Sequence, residues 1–236
     1  SQVGDHIAGG SGNDIISGQG GADHIYGDSG FNADYEVVKD PGTDAAIVAR
    51  LLTVPTVNSS EEVTSDNMLA GMDTITGDGG DDIIFGDHGV VEQTSDTLRV
   101  LTTGSVERLY TAEPENGAND EIYGNDGIDR ILGGNGEDTI QGNAGNDIII
   151  GDNGWIDYNT GDDDLSTVDL IQTTDPAVGS VDDIQGNADD DVILGGADGD
   201  TIAGSDGSNI VIGDNGKLTY GAGALHRIET SDYGIG

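Results

Sequence analysis

Aspartate recurs at intervals of nine residues, each time after a glycine-rich stretch. Residues 9–17 (GGSGNDIIS), 133–141 (GGNGEDTIQ) and 142–150 (GNAGNDIII) are three copies of one unit. Its sixth position is aspartate in twelve copies and asparagine in a thirteenth: Asp5, Asp14, Asp23, Asp73, Asp82, Asp120, Asp129, Asp138, Asp147, Asp182, Asp191, Asp200 and Asn209. Short carboxylates beside flexible glycines suit tight loops and cations that prefer oxygen ligands, so the pattern indicates binding of a hard divalent cation such as Ca²⁺.

The charge balance also favours cations. The 236 residues include 46 acidic and 7 basic side chains, for a formal net charge of −39, and Asp outnumbers Glu by 36 to 10. Low hydrophobicity with high net charge is typical of disorder, unless bound cations fold the chain. We expect no nucleic-acid binding, because phosphate contacts need clustered Lys and Arg. We expect no direct membrane insertion, because no long apolar stretch is present, and no disulfide or thiolate site, because cysteine is absent.

The eighth position of the unit is always apolar: Ile7, Ile16, Ile25, Ile75, Ile84, Ile122, Ile131, Ile140, Ile149, Ile184, Ile193, Ile202 and Val211. Six glycine-rich residues are predicted to form a loop, and the next three a short strand with the eighth side chain pointing inward. One inward apolar residue in nine cannot offset the ordering entropy of that much backbone. The fold is therefore predicted to need metal.

The unit resembles the RTX (repeats-in-toxin, hemolysin-type) calcium-binding nonapeptide, whose pattern is G-G-x-G-x-D-x-apolar-x. The resemblance covers roughly half of the chain. It implies an all-β fold, a parallel β-roll or calcium-stapled β-solenoid, with two nonapeptides per coil and one Ca²⁺ between loops that are 18 residues apart. Five pairs are complete at position six: Asp5 with Asp23, Asp120 with Asp138, Asp129 with Asp147, Asp182 with Asp200, and Asp191 with Asn209. The last pair has an amide and is expected to bind more weakly.

The resemblance also implies which backbone oxygens bind the ion. Carbonyls of positions two and four come from one loop and carbonyls of positions one and three from the loop above, each loop adding its position-six side chain. Carried over to this sequence, the carbonyl ligands are those of Gly10, Gly12, Gly18, Gly20, Gly27, Gly71, Gly86, Asn125, Gly127, Gly133, Gly134, Asn135, Gly136, Gly142, Ala144, Gly151, Asn153, Asn187, Gly195, Gly196, Ala197, Gly204, Gly213 and Asn215. The implied total is roughly ten Ca²⁺ ions.

A longer repeat lies over the nonapeptides. Each run of units ends in a Gly-Asp-x-Gly sequence, here called a marker, at 27–30, 86–89, 151–154 and 213–216, with spacings of 59, 65 and 62 residues. The runs are 1–30, 68–89, 115–154 and 177–216, and the inserts are 31–67, 90–114, 155–176 and 217–236. The inserts resemble one another and look like two strands each, as in the match of Ile228–Asp232 with Ile171–Asp175 and, more loosely, with Leu109–Glu113. We interpret residues 1–236 as one continuous solenoid, an excerpt of a longer array, interrupted by β-rich inserts.

The marker aspartates Asp28, Asp87, Asp152 and Asp214 occupy position two of a loop that leaves for an insert before its own position six. We predict that each replaces the missing carboxylate at an ion shared with the loop 18 residues earlier. Those loops are centred on Asp14, Asp73, Asp138 and Asp200. The alternative is an Asx-turn that only shapes the corner.

Positions seven and nine should point outward, and in runs two to four they alternate between a polar pair and an apolar pair. Thr139/Gln141 and Ile148/Ile150 are examples, whereas run one departs from the alternation. An 18-residue coil explains this, because odd and even copies fall on opposite sheets. A strand that is apolar on both faces is normally covered. Because runs two to four hold 2, 4 and 4 nonapeptides, we predict that every marker lies on one edge of the roll, with each insert completing an oversized coil. The inserts, with Trp155, Ile156, Leu170 and Ile171, are predicted to cover the apolar sheet, and a partner chain is the alternative.

No catalytic motif such as H-E-x-x-H or G-x-S-x-G is present, and His6 and His24 are expected on the surface, so we expect no enzyme activity. The leading hypothesis is a calcium-binding structural array of the adhesin or surface-layer type, extracellular or at the bacterial cell surface, stiffened by Ca²⁺ after the type I secretion that the resemblance implies. Expected partners besides calcium are other copies of the chain or cell-surface polysaccharide. Two alternatives remain: a non-catalytic module of an extracellular lipase, protease or polysaccharide epimerase, and a carbohydrate-binding surface.

Overall fold

The computed structural model describes residues 4–39, 46–55, 68–94, 105–160 and 164–230, with side chains for 4–30, 68–93, 105–160 and 164–230. These residues form strands and turns, stacked as three β-sheets. Within them, no helix is long and apolar enough to cross a membrane. Parts of the inserts 31–67, 90–114, 155–176 and 217–236 lie outside the described residues, as does all of 231–236.

Two parallel sheets form the roll. The middle sheet contains, in spatial order, β1 (His6–Ala8), β3 (His24–Tyr26), β7 (Ile83–Phe85), β11 (Arg130–Leu132), β13 (Ile148–Ile150), β17 (Val192–Leu194) and β19 (Ile210–Ile212). The solvent sheet contains β18 (Thr201–Ala203), β16 (Asp183–Ala188), β12 (Thr139–Ala144), β10 (Glu121–Asp126), β6 (Thr74–Gly79) and β2 (Ile15–Ser17). Successive nonapeptides alternate between the two sheets, which confirms the all-β parallel β-roll.

The inserts form the third sheet, here called the insert sheet. Its order is β21 (Ala224–Thr230), β20 (Gly216–Gly221), β15 (Leu170–Thr173), β14 (Gly154–Asp157), β9 (Ser105–Thr111), β8 (Gly89–Thr94), β4 (Gly30–Lys39) and β5 (Ala46–Pro55). Each insert contributes a pair of strands, as its two strand-like segments predicted. All neighbours in this sheet are antiparallel except β4 and β8, which are parallel.

The roll continues through the inserts without a break. Ile16 pairs with Ile75, Ile75 with Ile122, and Ile140 with Ile184, in the same register as copies that are contiguous in sequence. The expectation that an insert completes a coil of its own is therefore wrong, because an insert only enlarges the turn between the middle and solvent sheets. The markers do lie on one edge, since Gly86 N donates to Leu132 O and Gly133 N donates to Ile150 O.

Two apolar cores separate the three sheets. The position-eight isoleucines fill the space between the solvent and middle sheets. The outward side chains of the middle sheet, among them Phe85, Leu132 and Ile150, pack with Leu109, Ile156, Ile171 and Leu218 of the insert sheet. Ile148, Ile150 and Ile212 are buried and Ile210 is partly buried, which confirms that the inserts cover the apolar sheet.

A glycine at the fourth marker position holds each insert against the roll. A Cβ at Gly154 would lie 2.8 Å from Ile150 Cδ1, and one at Gly216 would lie 2.8 Å from Ile212 Cδ1. At Gly30 and Gly89 a Cβ would overlap the rings of Tyr26 and Phe85. The chain turns so tightly over its own position-nine side chain that β4, β8, β14 and β20 begin directly over β3, β7, β13 and β19.

This alignment explains why the first insert is reversed. Markers two, three and four are separated by two strands of the middle sheet, which leaves β9 and β15 a place over β11 and β17. Markers one and two are separated by one strand, so β8 lies directly beside β4 and the returning strand β5 moves to the other side, over β1. The number of nonapeptides in a run thus decides the strand order of the insert sheet.

Two side chains depart from expectation for the same reason. His24 is buried and His6 is partly buried with both ring nitrogens shielded, because they lie on the covered face of the middle sheet; the surface assignment was wrong. Burial lowers the pKa of His6. Trp155 alternates with the inward Ile156, so it lies on the outer face of the insert sheet, where the Arg108 guanidinium stacks 4.8 Å from its ring centre.

Candidate metal centres

The position-six carboxylates form two continuous ladders along the roll. In each rung the backbone N–H of one position-six residue donates to the Oδ1 of its counterpart in the next coil. One ladder runs through Asp14, Asp73, Asp120, Asp138, Asp182 and Asp200. The other runs through Asp5, Asp23, Asp82, Asp129, Asp147, Asp191 and Asn209.

The rung at Asp82 shows the geometry. Asp82 Oδ1 accepts from Asp23 N at 2.7 Å, and Asp82 N donates to Asp129 Oδ1 at 2.9 Å. The second oxygen, Oδ2, is buried without a hydrogen-bond partner. A Cβ built on Gly77 would lie 2.5 Å from Asp82 Oδ2 and 2.9 Å from Gly124 O. Only glycine fits at that position, and its missing side chain leaves a space lined by carboxylate and carbonyl oxygens.

The same second oxygen is buried and lacks a partner in ten ladder residues: Asp23, Asp73, Asp82, Asp120, Asp129, Asp138, Asp147, Asp182, Asp191 and Asp200. A buried carboxylate oxygen that makes no hydrogen bond is costly unless a cation binds it. No group of three His, Cys, Asp or Glu side chains converges in the described part of the chain. That fits a site in which each loop contributes one carboxylate and backbone carbonyls supply the other oxygens, a donor set suited to Ca²⁺.

Burial makes these carboxylates hard to ionise in the absence of a cation. It raises the pKa of Asp82, Asp120 and Asp182 to about 8, with neighbouring aspartates adding a smaller upward shift. It raises the pKa of Asp73, Asp129 and Asp191 to about 6, and that of Asp147 to about 7. For Asp138 and Asp87, burial and nearby aspartates hold the pKa well above its usual value. A bound divalent cation would reverse this preference by favouring the ionised form.

The structure brings together all five predicted pairs as adjacent rungs. Asn209 keeps its place in the ladder, because its Oδ1 accepts from Asp191 N at 2.8 Å. Sequence reasoning missed six further rungs that cross the inserts: Asp14 with Asp73, Asp23 with Asp82, Asp73 with Asp120, Asp82 with Asp129, Asp138 with Asp182, and Asp147 with Asp191. Their separations of 59, 47 and 44 residues hide a spacing that is 18 elsewhere.

The marker aspartates close the loops that the inserts split. Oδ1 of Asp28, Asp87 and Asp152 accepts from the backbone N–H of the position-four residue where the chain returns from the insert. These donors are Gly71 at 3.0 Å, Ala118 at 3.0 Å and Ser180 at 2.9 Å. Asp214, with no described loop after it, is exposed.

Two marker carboxylates also reach the next coil. Asp87 Oδ2 accepts from Asn135 N at 2.8 Å, and Asp152 Oδ2 accepts from Ala197 N at 2.5 Å. These hydrogen bonds join each marker to loops that follow it, whereas the predicted shared ion involves the loop before it. The ligand role of the marker aspartates therefore stays a prediction, and a structural role as a loop clamp stands beside it.

The predicted carbonyl ligands also lie along these ladders. Position-one glycines approach their counterparts in the next coil, so that a Cβ at Gly18 would lie 2.8 Å from Gly77 O, and one at Gly151 would lie 2.5 Å from Gly195 O. Position two of the second ladder takes a left-handed backbone, with φ of 75° at Asn125, 77° at Asn143 and 75° at Asn187. Asparagine tolerates this region better than most residues, which accounts for its recurrence there.

A family model of the RTX calcium-binding nonapeptide repeat matches the chain four times, at residues 3–33, 69–90, 116–154 and 179–211. These segments make up more than half of the chain and follow the four runs, whereas most of each insert lies outside them. The search of curated proteins and the search of solved structures each gave no match.

Proposed function

Because the chain belongs to the RTX calcium-binding nonapeptide repeat family, we propose that it is a structural segment that folds and stiffens when Ca²⁺ binds along its two carboxylate ladders. The observation that carries this proposal is the ladder itself. Ten buried aspartates each present an oxygen without a hydrogen-bond partner, and they follow one another at every coil of the roll.

The protein supplies little positive charge to neutralise these ladders. The described ion pairs with full side-chain contact lie in the insert sheet, where Arg108 pairs with Asp157 at 2.7 Å and Arg227 pairs with Glu229 at 2.6 Å. A row of buried like charges destabilises a fold unless counter-ions reside among them. Roughly ten Ca²⁺ would supply about 20 positive charges against a net charge of −39.

The proposed setting is a secreted or cell-surface bacterial protein of the adhesin or surface-layer type. Such a segment would be loose at low cytosolic calcium and rigid outside, which suits export as an unfolded chain through a type I system. Because the insert sheet covers one face of the roll and the solvent sheet leaves the other open, the segment would act as a non-catalytic spacer. Cell-surface polysaccharide or other copies of the chain are its proposed partners.

The test combines ion counting with solution shape. Equilibrium dialysis in millimolar Ca²⁺ should give roughly ten bound ions, and small-angle scattering should show the chain contracting to a compact rod. Mg²⁺ is the matched control, because it dehydrates reluctantly and suits carbonyl-rich sites poorly, so it should leave the chain expanded. Fewer than about five bound Ca²⁺, or equal contraction in Mg²⁺, would contradict the proposal.

A further inference from the structure

The insert sheet extends one strand beyond the middle sheet. Gly216 packs on Ile212, so β20 begins over β19, the last described strand of the middle sheet. The next strand, β21, lies beyond β20 and has no described strand of the middle sheet beneath it. The space under β21 and beside β19 is here called the terminal slot.

Apolar side chains that are buried elsewhere are exposed at this slot. Ile228 is 48% exposed, whereas its counterparts Leu109 and Ile171 are 0% and 1% exposed. Ile228 pairs with the buried Leu218, so its side chain is on the face of the insert sheet that covers the roll. Val211 of the inner core is 45% exposed, although the equivalent Ile149 and Ile193 are fully buried. Both apolar layers therefore end open.

We propose that the terminal slot binds a further nonapeptide coil whose middle-sheet strand has no cover of its own. The structure contains two such arrangements. β11 lies beneath β9 and β17 beneath β15, and Leu132 and Leu194 pack against the insert sheet there. A coil with the same residues at positions seven to nine would bury Ile228 and Val211 together. Its position-six side chains would also continue the ladders, which end in the described residues at Asp200 and Asn209.

The slot should reject the start of a second copy of this chain. β1, the first strand of the middle sheet, already has β5 over it. If β1 of one copy lay beside β19 of another, β5 and β21 would have to occupy the same position. The slot is therefore selective for an uncovered coil, and the chain alone should stay monomeric.

A graft tests this directly. Residues 231–236 are replaced by a copy of 174–194, which contains the return loop, β16 and β17 in their natural order. In Ca²⁺, the grafted chain should bind two more ions than the parent, one for each added position-six aspartate. Amide hydrogen exchange in Ile210–Ile212 and Ala224–Thr230 should slow by about tenfold or more, since both strands gain a neighbour.

Two substitutions in the grafted chain provide the comparison. Ile228→Ser removes the apolar contact and should abolish the added protection, whereas Arg227→Ser, whose side chain points to the other face, should retain it. The same substitutions in the parent should leave its calcium count unchanged, because both residues are already exposed. A graft that adds neither bound calcium nor protection overturns the proposal. So does a parent chain that dimerises in Ca²⁺ with protection of β21 in analytical ultracentrifugation and exchange measurements.

Discussion

Replacing Asp138 by asparagine separates metal binding from the ladder hydrogen bond. Asp138 Oδ1 accepts from Asp120 N at 2.8 Å, and Asp138 N donates to Asp182 Oδ1 at 2.9 Å, while Oδ2 is buried without a partner. Asparagine keeps the first two bonds, as Asn209 does at the end of the other ladder. The variant therefore loses mainly the anionic oxygen that a cation would bind.

The expected loss follows from binding linkage. At a free Ca²⁺ concentration 100-fold above the dissociation constant, each bound ion stabilises the fold by about 2.7 kcal/mol. Asp138 has ladder neighbours on both sides, so it can contribute to two ions. Asp138→Asn should thus lower the free energy of unfolding in calcium by about 3 to 5 kcal/mol, measured by urea denaturation followed by circular dichroism.

Glu137→Gln is the matched control, because it makes the same charge change at an exposed side chain next in sequence. It should alter stability by no more than about 0.5 kcal/mol. If Asp138→Asn behaves like the control, the buried carboxylate does not bind the stabilising ion. If stability falls while the number of bound Ca²⁺ stays the same, the loss comes from packing or hydrogen bonding instead.

Three further predictions address protons, the markers and the insert turns. Raised pKa values mean that the metal-free folded state binds more protons than the unfolded state; lowering the pH from about 8 to 4 should therefore increase β-structure in EDTA but weaken Ca²⁺ binding, and parallel responses in a circular dichroism titration would contradict this. Asp152→Asn loses one of two backbone N–H bonds and should lower unfolding free energy by about 2 kcal/mol, against no measurable change for the exposed Asp183→Asn; equal urea midpoints would refute the clamp. Gly89→Ala overlaps the Phe85 ring and should lower unfolding free energy by about 1–3 kcal/mol, whereas Gly199→Ala meets open space; equal melting temperatures would argue against the tight turn.

The nonapeptide period was enough to predict the roll and its ladders in outline. A fixed spacing of Asp129 and Ile131 from their counterparts in the next coil leaves few alternatives, because a one-residue slip would expose the isoleucine and bury its neighbours. The alternation of Thr139/Gln141 with Ile148/Ile150 likewise predicted which sheet is covered. Local periodicity carries this information directly, so no knowledge of long-range contacts was needed.

The rungs that cross the inserts could not be predicted from spacing. Asp23 and Asp82 are 59 residues apart, and only the continued register of the two sheets brings them together. The reversed first insert depends on how many middle-sheet strands separate two markers, which is a packing constraint between layers. The clamp by Asp152 joins residues on both sides of an insert, so the marker pattern indicated a role for this aspartate without identifying its partners.

Far-UV circular dichroism with and without calcium tests the central claim most directly. At neutral pH the chain should give the spectrum of an unfolded polypeptide in excess EDTA and a β-rich spectrum in millimolar Ca²⁺, because the buried carboxylates cannot remain ionised without the ion. A β-rich spectrum that persists in excess EDTA, with no metal retained on the protein, would contradict a fold held together by calcium.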